Sequence, residues 1–210
     1  MLLREKLVRA EVAAAHERIR EVGANNHGPQ VKRFLAEVGL PEGYAWCDAY
    51  QSYEEHAVAG HRLPIESASV AQTYATARTL GWTVQRPQRG DLVLYDFDGD
   101  GQCDDHIGII TSVTVIGGGF ELHTVEGNTG DGSAADGDGV YLRVRRVKRG
   151  TAAYVRIPGV VPDAIVKKAA AARKKAATPT PKPKPLAPNV AYRKLNPPAH
   201  KPSGSPDKEN

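Results

Sequence analysis

The spacing of apolar residues changes once along this chain, near Gly90, and that change restricts the fold more than any other feature. Before it, apolar residues recur at three- and four-residue steps. Leu3, Leu7, Val8, Val12, Ala15, Ile19 and Val22 predict an amphipathic helix over 2–22, ended by Gly23. A second helix is expected from Pro29 in its first turn to Gly39, burying Val31, Phe34, Leu35 and Val38. A third runs from Trp46 to Ala59 and stops at Gly60, and a fourth lies between Ser67 as cap and Gly81 as stop. After Gly90 come short segments rich in β-branched and aromatic residues, 92–95, 107–113, 120–125, 140–144 and 153–157, separated by Gly/Asp loops. Helices first and a strand meander afterwards predict an α+β fold, with helices packed on an antiparallel sheet.

Beyond Pro162 the composition breaks. Residues 163–210 hold 11 Lys+Arg against 3 Asp+Glu, a net of +8; the other residues hold 17 basic and 21 acidic side chains, a net of −4. The expected division is therefore a folded unit over 1–162 and a basic, disordered tail over 163–210. The tail contains an Ala/Lys stretch able to form a short helix and a Pro-rich spacer from Thr178. Such a tail fits an anionic wall polymer or a membrane surface, or serves as a solubilising extension. The acidic body argues against nucleic acid as substrate. Two cysteines cannot supply a disulfide framework. No apolar run approaches the roughly 20 residues that span a bilayer. The first residues carry charges where a signal peptide needs its apolar stretch, so synthesis in a cytoplasm without a signal is expected.

Three polar positions stand out against this frame. Cys47 opens the third helix in Gly43-Tyr-Ala-Trp-Cys47, His106 opens the strand run Ile-Gly-Ile-Ile, and Glu126-Gly-Asn128 closes a later strand. A cysteine at a helix start, then a strand histidine, then a carboxylate and an amide is the order of a cysteine hydrolase. A thiol at neutral pH is mostly protonated, and both a helix N-terminus and a nearby imidazolium favour the thiolate. The histidine is then held by a group on its second ring nitrogen. Glu126 and Asn128 are two apart in a strand, so regular alternation puts both on one face, within reach of one imidazole. His123 is the chief rival to His106, but it lies in ordinary alternation between Leu122 and Thr124. Cys103 is the rival thiol. Its neighbours Asp100, Asp104 and Asp105 would disfavour its thiolate, and a zinc site from Cys47, Cys103 and His106 lacks an evident fourth ligand.

These segments, together with Arg89-Gly-Asp-Leu-Val-Leu-Tyr95, resemble the CHAP domain, the cysteine- and histidine-dependent amidohydrolase/peptidase of bacterial cell walls and phage endolysins. All four motifs occur in the family's order, from about Asn26 to Asn128. The resemblance implies a papain-like cysteine hydrolase fold, with Cys47 as nucleophile, His106 as general base, Glu126 as its orienter and Asn128 assisting. It implies a peptidoglycan hydrolase that cuts an amide bond of the stem peptide, acting as a monomer at the wall after release, as a phage endolysin does. The alternatives are an NlpC-type cysteine peptidase and a non-catalytic virion or wall-binding protein. That chemistry requires no cofactor.

The segment Asp96-Phe-Asp98-Gly-Asp100-Gly-Gln-Cys-Asp104 repeats carboxylates at alternate positions, like the first half of a calcium loop. Asp96, Asp98 and Asp100 are the candidate ligands. The twelfth position is Ile107 where a bidentate Glu is expected, and Asp-Gly pairs also form plain turns.

Overall fold

In the computed structural model, which describes residues 2–130, 137–159, 164–168 and 171, four helices lead into a six-stranded sheet. The helices are α1 (Leu3–His16), α2 (Pro29–Glu37), α3 (Cys47–Ala59) and α4 (Val70–Thr79). The strands are β1 (Thr83–Val84), β2 (Leu92–Tyr95), β3 (His106–Ile116), β4 (Gly119–Thr129), β5 (Gly139–Lys148) and β6 (Ala152–Val155). Their order across the sheet is β1-β6-β2-β3-β4-β5, and every pairing is antiparallel. The α+β class expected from the change of period is the architecture found.

Helix ends follow local chemistry. Pro29 starts α2 with the φ a first turn needs, and Gly60 stops α3 at φ 73°, a left-handed value that an L side chain resists. The first helix is shorter than its periodicity predicts. It ends at His16, Arg18 turns left-handed at φ 55°, and the chain then runs extended beside β5. There Val140 donates its amide to Ile19 O, and Arg20 bridges to Gly139. Ile19 is buried by this sheet-edge contact and Val22 is left exposed, so their helical spacing has no helical cause. Ser67 is not the cap of α4, which begins after Ser69; its hydroxyl instead accepts the Ser69 amide, just ahead of the helix. Strand β1 has only two residues and no sequence signature.

The sheet separates two apolar clusters. Leu92, Leu94, Ile107, Ile109 and Val125 face the helices, packing with Leu7, Val8, Phe34, Trp46 and Tyr50. The alternate positions Val93, Tyr95, Phe120, Leu122 and Val147 form the second cluster with Tyr154. Phe34 fixes α2 to the start of α3 by stacking on Trp46 (5.6 Å between centroids) and meeting Tyr50 edge-on at 5.3 Å. Asp91, fully buried at the head of β2, accepts from Arg4 of α1 (3.2 Å) and from Arg156 beyond β6 (2.7 Å), tying three elements by charge.

The packed chain continues past the boundary expected at residue 162. Residues 164–168 are helical, and Ile165 and Val166 pack against the helix-side core. The rest of the expected basic tail, and with it the expected disorder, falls outside the described residues apart from residue 171.

Candidate active site

Helix α3 is aimed by what precedes it. The Trp46 ring is fully buried and its Nε1 donates to Glu21 Oε1 at 2.8 Å, so the residue before Cys47 is held by both packing and a hydrogen bond. Tyr50 N donates to Trp46 O in the first bond of the helix, which leaves the amides of Cys47, Asp48 and Ala49 without intrahelical acceptors. Cys47 is therefore the first helical residue, nearly buried, with the positive end of the helix beside its sulfur.

His106 opens β3 and pairs with Tyr95 of β2. Its Nε2 lies 3.0 Å from Glu126 Oε2, which leaves Nδ1 as the ring's other nitrogen, and the Cys47 thiol is near enough to influence the imidazole's protonation. Burial alone would lower the imidazole's pKa. Hydrogen bonds to Cys47 and Glu126, and the negative charge of each, outweigh that and raise it to about 9. The ring lies in a stack with Tyr95 (6.0 Å) and Phe97 (5.9 Å), which limits its rotation.

Glu126 is fully buried in β4. Burial by itself would push a carboxyl pKa up. The bond and charge of His106, followed by those of Arg145, instead hold it well below the usual carboxylate range. Thr124 Oγ1 (2.7 Å) and Tyr95 OH (3.1 Å) also donate to its Oε1. Room for this side chain is made across the ladder by Gly108, where a Cβ would lie 2.6 Å from Glu126 Cγ. Gly127 serves the opposite face, since a Cβ there would lie 2.6 Å from the Tyr50 ring of α3. These two glycines let helix, histidine strand and glutamate strand converge.

Asn128 does not follow from the regular alternation expected of it. The β4–β5 register shifts between Glu126 and Thr129, and Asn128 sits in that irregularity at φ 53°. Among the described residues no hydrogen bond joins Asn128 to His106. His123 is exposed on β4, away from this cluster. Cys103 has its pKa raised by burial and by Asp96, Asp104 and Asp105, the wrong direction for a nucleophile. Cys47, Cys103 and His106 do not form one of the metal-sized clusters found among the described residues.

Sequence reasoning did not find Arg145, Tyr95 or Thr124, all of which touch Glu126. One signal was available: Arg145 is in phase with buried Val147 on β5, an unusual place for a solvated charge. Asp48, next to the thiol, was also passed over. It is buried, and burial pushes its pKa up to about 8 against the opposing bond from Thr73. The single hydroxyl hydrogen of Thr73 is within reach of both Asp48 Oδ2 (2.8 Å) and Ile65 O (3.0 Å). A neutral Asp48 resolves that competition by donating to Thr73, and it also places no second negative charge beside Cys47.

The acidic loop between β2 and β3 gathers Asp96, Asp98 and Asp105, with a carboxylate oxygen of each within 4.8 Å of the others. The expected third member, Asp100, is turned to Gln102, accepting its amide at 2.7 Å and its side chain at 2.9 Å. Asp105 Oδ2 accepts from the amides of Phe97 (2.6 Å) and Asp98 (3.1 Å), fastening the loop to the residue before His106. Three carboxylates suit a hard cation such as calcium in donor type.

A family model described as CHAP domain matches residues 39–128. Residues 39–128 are thus similar to a CHAP domain. The match covers less than half of the 210 residues and includes Cys47, His106, Glu126 and Asn128. No curated protein and no solved structure matches the chain. CHAP domains are in general hydrolases of peptidoglycan. Helices α1 and α2 and strands β5 and β6, which complete the core around the CHAP match, lie outside it.

Proposed function

We propose that this protein is a cysteine-dependent peptidoglycan hydrolase that cuts an amide bond of the stem peptide or its sugar junction, in the manner of a phage endolysin. The observation that carries this reading is the buried His106–Glu126 pair, with the Cys47 thiol near enough to act on the same imidazole. A non-catalytic wall-binding module has no use for a buried, charge-linked histidine directed at a helix-start cysteine.

In this mechanism the Cys47 thiolate attacks the scissile carbonyl carbon, and the amides at the start of α3 receive the developing oxyanion. His106, as imidazolium, protonates the leaving amine, and the amine departs. A water then enters, His106 takes its proton, and the resulting hydroxide releases the acyl group from sulfur. Glu126 keeps the imidazolium oriented and compensates its charge throughout. No metal or cofactor takes part in these steps. We assign Asn128 no step of its own, since its backbone departs from the strand.

The experiment is a pair of substitutions. Cys47→Ser should abolish release of peptidoglycan fragments while leaving the melting curve nearly unchanged, because the exchange is almost isosteric. Cys103→Ser should retain most activity. If Cys103→Ser is as inactive as Cys47→Ser, the nucleophile is wrongly assigned.

A further inference from the structure

Glu126 does not hold His106 unaided. Arg145 of β5 approaches the carboxylate side-on, with Nη2 2.5 Å from Oε2 and Nε 3.1 Å from Oε1. This two-point contact fixes the plane of the carboxylate as well as its position. The guanidinium is itself confined. It lies 5.8 Å from the Tyr95 ring centroid and 5.5 Å from that of Phe97, and Nη2 reaches Thr129 Oγ1 at 3.3 Å. Tyr95 and Phe97 are also the rings stacked with His106. Arginine, carboxylate, imidazole and two aromatic rings thus form one packed unit, and Oε2 is shared between Arg145 and His106.

We propose that Arg145 is a positioning residue for the hydrolysis. Its fork sets the plane of Glu126, and that plane sets the direction in which His106 presents Nδ1 to Cys47. The inference deepens the reading of Cys47, His106 and Glu126 as the reacting set and rests on it. Lysine cannot replace the fork, since an ammonium supplies charge at one point and no second directed bond.

The test compares wild type with Arg145→Lys and Arg145→Met, the second keeping an unbranched stem to pack against Tyr95 and Phe97. One readout needs no substrate: the rate of iodoacetamide alkylation at Cys47, followed by mass spectrometry, with Cys103 as internal reference. The second is kcat and KM on muropeptides prepared from purified peptidoglycan with a muramidase. A displacement of about 1 Å at a reacting group can cost roughly 10²-fold in rate. Both variants should therefore lose about that factor in kcat with KM little changed, and Cys47 should alkylate more slowly while Cys103 does not. Arg145→Lys should keep the wild-type melting temperature, so a loss in that variant is not a loss of fold. Wild-type kcat and alkylation in Arg145→Lys would overturn the proposal, as would a rise in KM alone, which would make Arg145 a substrate contact. If instead wild type and Cys47→Ser behave alike on muropeptides, the hydrolase reading itself fails, and the alkylation rates still decide whether Arg145 positions His106.

Discussion

At the residue scale, the proposed reacting set was legible where chemistry demands a rare residue in a rare place. A cysteine as first residue of a helix and a histidine opening an apolar strand are few in any chain, and here Cys47 is near enough to His106 to influence its protonation. Arg145 was only faintly legible, through its phase with Val147, because an arginine in a strand reads as solvated until its neighbour across the sheet is known. Glu126→Gln should lower turnover by roughly 10²–10⁴-fold, since the imidazolium loses its counter-charge and one amide nitrogen turns towards donors. Glu121→Gln removes only a surface pair with Arg146 (2.9 Å) and should change turnover little. Equal losses at both would mean that fold damage, not orientation, is being measured. Asp48 gives a pH test. Its carboxyl has a pKa of about 8 in the folded chain against an ordinary value of 3.8. Between those values the folded state binds one proton more than the unfolded state, so this residue makes stability fall as pH rises. Asp48→Asn should flatten the decline in melting temperature from pH 5 to pH 8. A variant that declines as steeply as wild type would show that Asp48 is ionised in the fold.

At the element scale, stops were easier to read than ends set by tertiary contact. Gly60 ends α3 for a local reason, a left-handed backbone, and the sequence shows it. The end of α1 depends on β5, some 120 residues away, where Val140 bonds Ile19 O, and no local pattern announces that. The acidic loop belongs to the same lesson. Alternate carboxylates pointed to Asp96, Asp98 and Asp100, whereas the fold substitutes Asp105, which the return of the chain into β3 brings beside the first two. Asp104 shows the crowding: burial and then Asp105, Asp100, Asp98 and Asp96 raise its pKa. A calcium ion held by Asp96, Asp98 and Asp105 would relieve that repulsion. Added calcium should raise the melting temperature and a chelator should reverse it, by about 2.7 kcal/mol at a hundredfold excess over Kd. Asp98→Asn should abolish the response. A melting curve indifferent to calcium and chelator would make the loop an acidic turn.

At the scale of the whole molecule, the packed core is larger than the CHAP match, and residues beyond the composition break at Pro162 touch it. Helices α1 and α2 supply Leu7, Val8, Phe34 and Leu35 to the core, and Ile165 and Val166 add to it from beyond the proline. Among the described residues no helix is long and apolar enough to cross a membrane. A chain ending after residue 171 should melt with the full-length protein and keep its activity on soluble muropeptides. One ending at residue 162 should melt lower, having lost two apolar side chains at roughly 25 cal/mol per Å² of buried area. Equal melting of the two would place the boundary at the composition break after all. Removing the basic segment should matter on intact walls, and the difference should shrink with salt, because exposed charges are screened over about 8 Å at physiological ionic strength.

The most direct measurement is mass spectrometry of the products released from purified peptidoglycan by wild type and by Cys47→Ser. Wild type should generate new amine ends, either at the lactyl junction or within the stem peptide, and leave the glycan strands uncut. Cys47→Ser should generate none. New reducing sugar ends, or the same amine products from Cys47→Ser, would contradict the account.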